Sequence, residues 1–305
     1  MNKNKISIIS LAGLGNSLLT ALALSKTELS KNQITIYVSN DFAKSIFQFY
    51  LRKVIVRVIK KKNRLLYFAV LQKLIFSKND LIIIEPNSSS LFIGLVRLFF
   101  GKKVKFCYEN NNMPIEQDYK NLFSIKSKIL DKVNFKFNPN DKFLIYPTVE
   151  SINKFSKKIS EIQLSSIIDF LNNNKLYFDI IIPNYEKNQI SLTFIKKHVD
   201  HIKYIDTFSD FKKLINFFKK YDAYIGGDTF YYHLMAKTLQ KKSFTFFGST
   251  NYKRFIYENE LTKYFYPDCP HYPTYKKYFS KIKYCNYCKS NYCIDKINIK
   301  NLNIY

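Results

Sequence analysis

The sequence predicts the α/β class, as two Rossmann-like domains with parallel sheets wrapped by helices, on three observations. Short β-branched runs alternate with helical stretches through both halves of the chain. The length of 305 residues, 47% of them hydrophobic, suits two domains of about 150 residues, each with its own core. Glycine is scarce, yet Gly226, Gly227 and Gly248 share one stretch, and Gly13 and Gly15 share one N-terminal loop. Such positions need positive φ or close approach by a ligand.

In the first half, strands are expected at residues 6–10, 34–38, 54–59, 81–85 and 104–108, and helices at 17–29, 41–51, 64–76 and 90–100. Asn40 is a natural N-cap, Pro86 halts the fourth strand and Gly101 ends the fourth helix. The polar run 109–121, ENNNMPIEQDYKN, reads as a loop. Glu109, Glu116 and Asp118 within it are either site carboxylates or a solvated surface. A helix at 125–133 and a polar connector at 138–141 close a first domain of residues 1–138. The second, residues 139–305, repeats the pattern. Its strands are expected at 143–146, 178–182, 202–205, 223–225 and 244–247, and its helices at 161–171, 189–198, 211–220 and through His233. Two such domains face each other, with the ligand in the cleft between them.

A formal net charge of +26 favours anionic partners: phosphorylated substrates, acidic lipid surfaces or nucleic acid. Nucleic acid has only the charge behind it, for no nucleic-acid motif is present. No apolar run approaches the roughly 20 residues of a membrane span. The lysine-led N-terminus passes through its glycine loop into a helix, so it reads as a first strand and not a signal peptide, and the expected location is the cytoplasm. Segments 46–76 and 91–105 mix apolar residues with lysine and arginine, which suits either cover for the sheet or contact with an anionic membrane surface. Cys285 and Cys288 form a C-x-x-C. With Cys269 and Cys293 they are either a four-thiolate zinc site or free thiols.

Three loops carry the chemistry: residues 12–17, 147–154 and 226–229. The two glycines let the first approach a substrate, and the helix after it directs N–H groups at the same place. Thr148 and Lys154 offer a hydroxyl and a compact positive charge to phosphate oxygens. Asp228 orders a turn or accepts sugar hydroxyls, and His233 lies one helical turn beyond Thr229.

Ser-Leu-Ala-Gly-Leu-Gly-Asn-Ser at residues 10–17 resembles the opening of glycosyltransferase family 9, the ADP-heptose:lipopolysaccharide heptosyltransferases. Gly227-Asp228-Thr229 with His233, then Phe247-Gly248-Ser249-Thr250, is similar to that family's second signature. Pro147-Thr148 with Lys154, and the cysteine cluster, also stand where family members have theirs. The resemblance implies a GT-B fold, with an acceptor-binding N-terminal domain and a donor-binding C-terminal domain facing across a cleft. It implies inverting transfer without a metal or other cofactor, from ADP-heptose or a similar nucleotide sugar to a lipopolysaccharide-type acceptor. Lys154 and Thr148 would hold the donor diphosphate. Gly15, Gly227, Asp228, Thr229, His233 and Thr250 would line the nucleotide-sugar site.

Two departures stand out. Asn16 occupies the position of the family's general-base aspartate, and an amide cannot take a proton from the acceptor hydroxyl. Phe230 stands where a glycine follows the Asp-Thr pair, and crowds the donor's approach. Another carboxylate (Glu109, Glu116 or Asp118) therefore substitutes, or the enzyme is slow, or the chain binds nucleotide sugar or a partner enzyme without turnover. At Phe230 the alternative is a different donor pose or sugar.

Overall fold

Isoleucine- and valine-rich runs build two all-parallel sheets in the computed structural model, which describes residues 4–60, 64–86, 88–107, 113–126, 138, 140–148, 158–248, 250–257, 261–269, 272 and 297. The chain divides into two compact units, Met1–Asp131 with Ser209–Leu214, and Lys132–Phe208 with Ile215–Tyr305. The expected partition at residue 138 did not single out the Ser209–Leu214 segment. Phe211 explains it: its fully buried ring sits against Phe42, Phe49 and Tyr50 of the first unit, and its N–H donates to Ser45 Oγ at 2.9 Å.

The first unit holds β1 (Lys5–Ser10), β2 (Gln33–Val38), β3 (Val54–Val58), β4 (Leu81–Ile84) and β5 (Val104–Phe106), in the order β3-β2-β1-β4-β5. Central β1 places Ile8 between Ile36 and Ile83. Its sequence runs apolar because helices cover both faces. Helix α1 (Leu14–Ser25) buries every residue from 17 to 24. In α2 (Asp41–Tyr50), the Asn40 side chain accepts from the Ala43 N–H at 2.7 Å, the expected cap. Helices α3 (Arg64–Ile75) and α4 (Ser90–Phe100) send Val70, Leu71, Leu74, Phe92, Ile93 and Val96 into one core with Ile9, Tyr37, Ile82 and Ile84. Each such side chain contributes about 1.5–3 kcal/mol on burial. Gly101, at φ 55°, ends α4.

The run expected to be a loop contains helix α5 (Ile115–Phe123). Its asparagines and proline obscured an apolar stripe, Ile115, Tyr119, Leu122 and Phe123, which is buried at helical spacing. Most of the expected 125–133 helix lies outside the described residues.

The second unit holds β6 (Lys142–Tyr146), β7 (Tyr177–Pro183), β8 (Ile202–Ile205), β9 (Ala223–Gly227), β10 (Lys242–Phe246) and β11 (Thr262–Phe265), in the order β11-β10-β9-β6-β7-β8. Its helices are α6 (Glu161–Asn173), α7 (Leu192–Lys197), the part of α8 (Phe211–Phe218) from Ile215 onward, and the single turn α9 (Phe230–His233), which runs into a π-helical turn at Leu234–Thr238. The helix expected at 189–198 is shorter because Ser191 caps a new start, its Oγ accepting from the Phe194 N–H at 3.2 Å. Strand β11 had no expectation.

Strand order fixes where chemistry can sit. In each sheet the chain moves outward on one side of its first strand and then returns to build the other side, so the order reverses between β1 and β4, and between β6 and β9. Ligands of open parallel sheets bind beyond the carboxyl ends of the strands at such reversals. Ser10 and Ile84 end the first pair, with Glu85 next after Ile84; Tyr146 and Gly227 end the second.

Candidate functional site

At the first reversal the residue that organises the loop is Glu85, one position past β4. It is fully buried. Ser10 Oγ donates to Glu85 Oε2 and the Ala12 N–H to Oε1, both at 2.6 Å, while Thr20 Oγ1 reaches Oε2 at 3.3 Å. Burial pushes the carboxyl up from 4.5 to about 7, against the opposing pull of the Ser10, Ala12, Thr20 and Leu11 donors. The glycine loop is thus tied to the neighbouring strand by a carboxylate. Gly13 takes φ 152°, a conformation other residues rarely adopt, and caps α1. Helix α1 starts at Leu14, so Gly15 and Asn16 lie in its first turn. The Asn16 carbonyl accepts from the Tyr119 hydroxyl at 3.2 Å, which links the loop to α5. Glu116 and Asp118, in the first turn of α5, are buried and not solvated.

The second reversal brings together most of the residues expected on the donor side. Gly226 and Gly227 are the last residues of β9, not a turn. Tyr224 explains this: its phenol folds back along its own strand, donating to the Gly227 carbonyl at 3.0 Å and lying 3.3 Å from Thr229 Oγ1. A Cβ at Gly226 would overlap that phenol and come within 2.9 Å of the Tyr146 carbonyl. Space for a side chain, not positive φ, is what requires glycine here. Asp228 is buried; Thr250 Oγ1 donates to its Oδ2 at 3.1 Å, and His233 Nε2 lies 4.0 Å from its Oδ1. His233 Nδ1 shares a hydrogen bond with the Tyr257 hydroxyl. Over the Tyr257 ring sits the ammonium of Lys237, 3.5 Å from the centroid and fully buried. The α-helical part of this segment is a single turn, Phe230–His233, and the π-helical turn follows it directly. Tyr252, Tyr266 and Tyr272 stack beside Thr250, whose carbonyl accepts from the Tyr272 hydroxyl.

The architecture is similar to that of solved glycosyltransferases. A family 9 glycosyl transferase from Veillonella parvula superposes with a TM-score of 0.59 at 12% identity, over 92% of this chain and 90% of that one. TibC, an iron-containing dodecameric glycosyltransferase from enterotoxigenic E. coli, does so with 0.52 at 10% identity, over 90% of this chain and 65% of TibC. A structure of TibC as a heptosyltransferase in complex with ADP-D-beta-D-heptose gives 0.53 at 10% identity, over 90% and 66%. The fold is GT-B. At these identities the likeness is one of fold. No protein-family model and no curated protein matches the sequence.

Within the GT-B chain, the two reversals separate the expected site residues by unit. Gly15 and Asn16 belong to the first; Thr148, Gly227, Asp228, Thr229, His233 and Thr250 belong to the second. Thr148 lies two residues past β6 with its side chain fully buried. Lys154 and Glu109 lie outside the described residues, as do Cys285, Cys288 and Cys293. Cys269 is half-buried, and among the described residues no cluster of His, Cys, Asp or Glu has the makings of a metal site. Phe230 is half-buried, its ring against that of Tyr231 at 5.6 Å. The sequence reading passed over three residues. Glu85 looked like the end of a strand and Tyr224 like one more apolar strand residue, while Lys237 was not singled out. The one signal for Glu85 was an acidic residue directly after a four-residue apolar run.

Proposed function

We propose that this GT-B protein is an inverting, metal-independent glycosyltransferase that moves a sugar, heptose from ADP-heptose as first choice, onto lipopolysaccharide or another cell-envelope glycan. The observation that carries the reading is the Asp228–Thr250–His233 network at the β6–β9 reversal. It stands on the residues that resemble the family 9 signature, in a fold shared with a protein solved in complex with ADP-heptose. In the reaction the acceptor oxygen attacks the anomeric carbon, the bond from that carbon to the diphosphate breaks, and the hydroxyl proton passes to a base. Negative charge grows on the departing diphosphate, where Lys154, Thr148 and the N–H groups after Asp228 are assigned to meet it. A lysine and aligned donors then do the work of a divalent cation.

Asn16 cannot be the base, and Glu85 is committed to the donors that hold the loop. The candidates for a replacement base are Glu109, which lies outside the described residues, and Glu116 and Asp118, buried on α5, the helix whose Tyr119 touches Asn16. The acceptor is assigned to the first unit and is lipid-linked, which places the protein on the cytoplasmic face of an anionic membrane. Asn16 specifically favours a second reading, a chain that binds nucleotide sugar or a partner enzyme without turnover.

Incubation with ADP-heptose and a core-oligosaccharide acceptor should release ADP. Lys154→Ala should weaken donor binding at least about tenfold in a calorimetric titration, the loss expected for one charge-assisted phosphate contact. Donor binding without turnover in the parent chain, with turnover in Asn16→Asp, selects the second reading. Failure to bind any nucleotide sugar removes both.

A further inference from the structure

Helices α3 and α4 lie side by side on one face of the first sheet: their inner residues share a core, and Tyr67 of α3 meets Phe92 of α4 with ring centroids 4.7 Å apart. Their outer residues therefore point the same way, away from the sheet. A helix lying between a sheet and water carries a polar outer stripe. These do not. Leu65, Phe68 and Phe76, on α3 and just past it, and Leu91, Leu98 and Phe99 on α4 are all more than half exposed, Phe76 and Leu98 by 81% and 79%. Exposed bases stand among them, Lys73 and Lys78 on the α3 side and Arg97 and Lys102 on the α4 side. Across residues 51–107 there are thirteen lysines and arginines but only two acidic residues, Asp80 and Glu85, and Glu85 is buried. That charge balance selects what can cover the patch. An apolar face with an almost unopposed basic fringe is complementary to a surface that is anionic outside and apolar a few ångströms below, which is an acidic bilayer. No helix among the described residues is long and apolar enough to cross a membrane, so the contact is peripheral.

We propose that the outer face of α3 and α4 is the membrane-docking surface, with its leucines and phenylalanines seated at the acyl boundary and its lysines and Arg97 among the headgroup phosphates. The assignment rests on the reading of the protein as a transferase with a membrane-borne acceptor, and it places that acceptor beside the unit that carries Asn16.

The test is co-sedimentation of the full chain with phosphatidylcholine vesicles, with and without phosphatidylglycerol. Binding should require phosphatidylglycerol. It should fall at least about tenfold in Phe76→Ser/Leu98→Ser, since each buried side chain of this size is worth a factor of ten or more, and to a similar extent in Lys73→Glu/Lys102→Glu. Ile162→Ser/Leu192→Ser, at equally exposed positions of the second unit, should bind like the parent. No binding, equal binding to neutral vesicles, or equal losses at the second-unit control overturns the proposal. So does a dimer of the parent chain that Phe76→Ser/Leu98→Ser dissolves, which makes the face an interface between copies. Donor titration of the same proteins keeps the two readings apart: vesicle binding can fail while nucleotide sugar still binds, and the reverse.

Discussion

Glu85 shows how much one residue can decide. A carboxyl held near 7 by burial keeps its proton in the folded chain between pH 4.5 and about 7, where an unfolded chain has released it. Its folded value is raised, so it favours the fold below pH 4.5 and that contribution is lost as pH rises through 7. The amplitude is on the order of 3 kcal/mol. Denaturant unfolding of the parent chain should therefore lose about that much, relative to Glu85→Gln, between pH 4.5 and 7.5. Parallel curves for the two proteins would refute the assignment. Gly226 is the other residue whose identity is dictated locally. Gly226→Ala should cost about 3 kcal/mol, the upper end for overpacking, because the added Cβ would overlap the Tyr224 phenol and crowd the Tyr146 carbonyl, a backbone atom. Gly13→Ala, with nothing within 4 Å of its Cβ, should cost about 1–2 kcal/mol from backbone strain alone. Equal losses in thermal melts would mean that space is not what singles out Gly226.

Among the elements, strands were legible and helix starts less so. A parallel strand buried on both faces is written as an unbroken β-branched run, and β1, β2, β4 and β6 could be read to within a residue or two. Helix α5 was hidden because three asparagines and a proline precede it, and its apolar stripe is set within polar residues. The π-helical turn at Leu234–Thr238 has no sequence signal at all. Its residues Leu234, Met235, Ala236 and Lys237 are all buried, directly after His233, which shares a hydrogen bond with Tyr257. One-turn α9 and that π turn replace the regular helix that the motif implied.

Across the whole molecule, sequence position and unit membership diverge at Phe211. Phe211→Ala should destabilise the first unit by about 3–5 kcal/mol through the lost contacts with Phe42, Phe49 and Tyr50. Native-state hydrogen exchange of the α2 amides should accelerate correspondingly. Unchanged exchange there would show that the ring is not a structural anchor. The charge of +26 is also a property of the whole chain, but its meaning is local: the bases matter most where exposed phenylalanines and leucines accompany them on α3 and α4.

The sequence by itself determined the two α/β repeats and the N-terminal glycine loop at Gly13, because local periodicity and backbone conformation are set by neighbours in the chain. The GT-B reading followed from the same short motifs, and solved glycosyltransferases have the same fold. Tertiary structure decided what those residues do to one another. It tied the first loop to Glu85 across 73 positions, joined Asp228 to Thr250, buried Lys237 over Tyr257, and moved Phe211 into the first unit. A carboxylate's role depends on which donors surround it and on how little water reaches it. Both are set by residues distant in sequence, which periodicity cannot register.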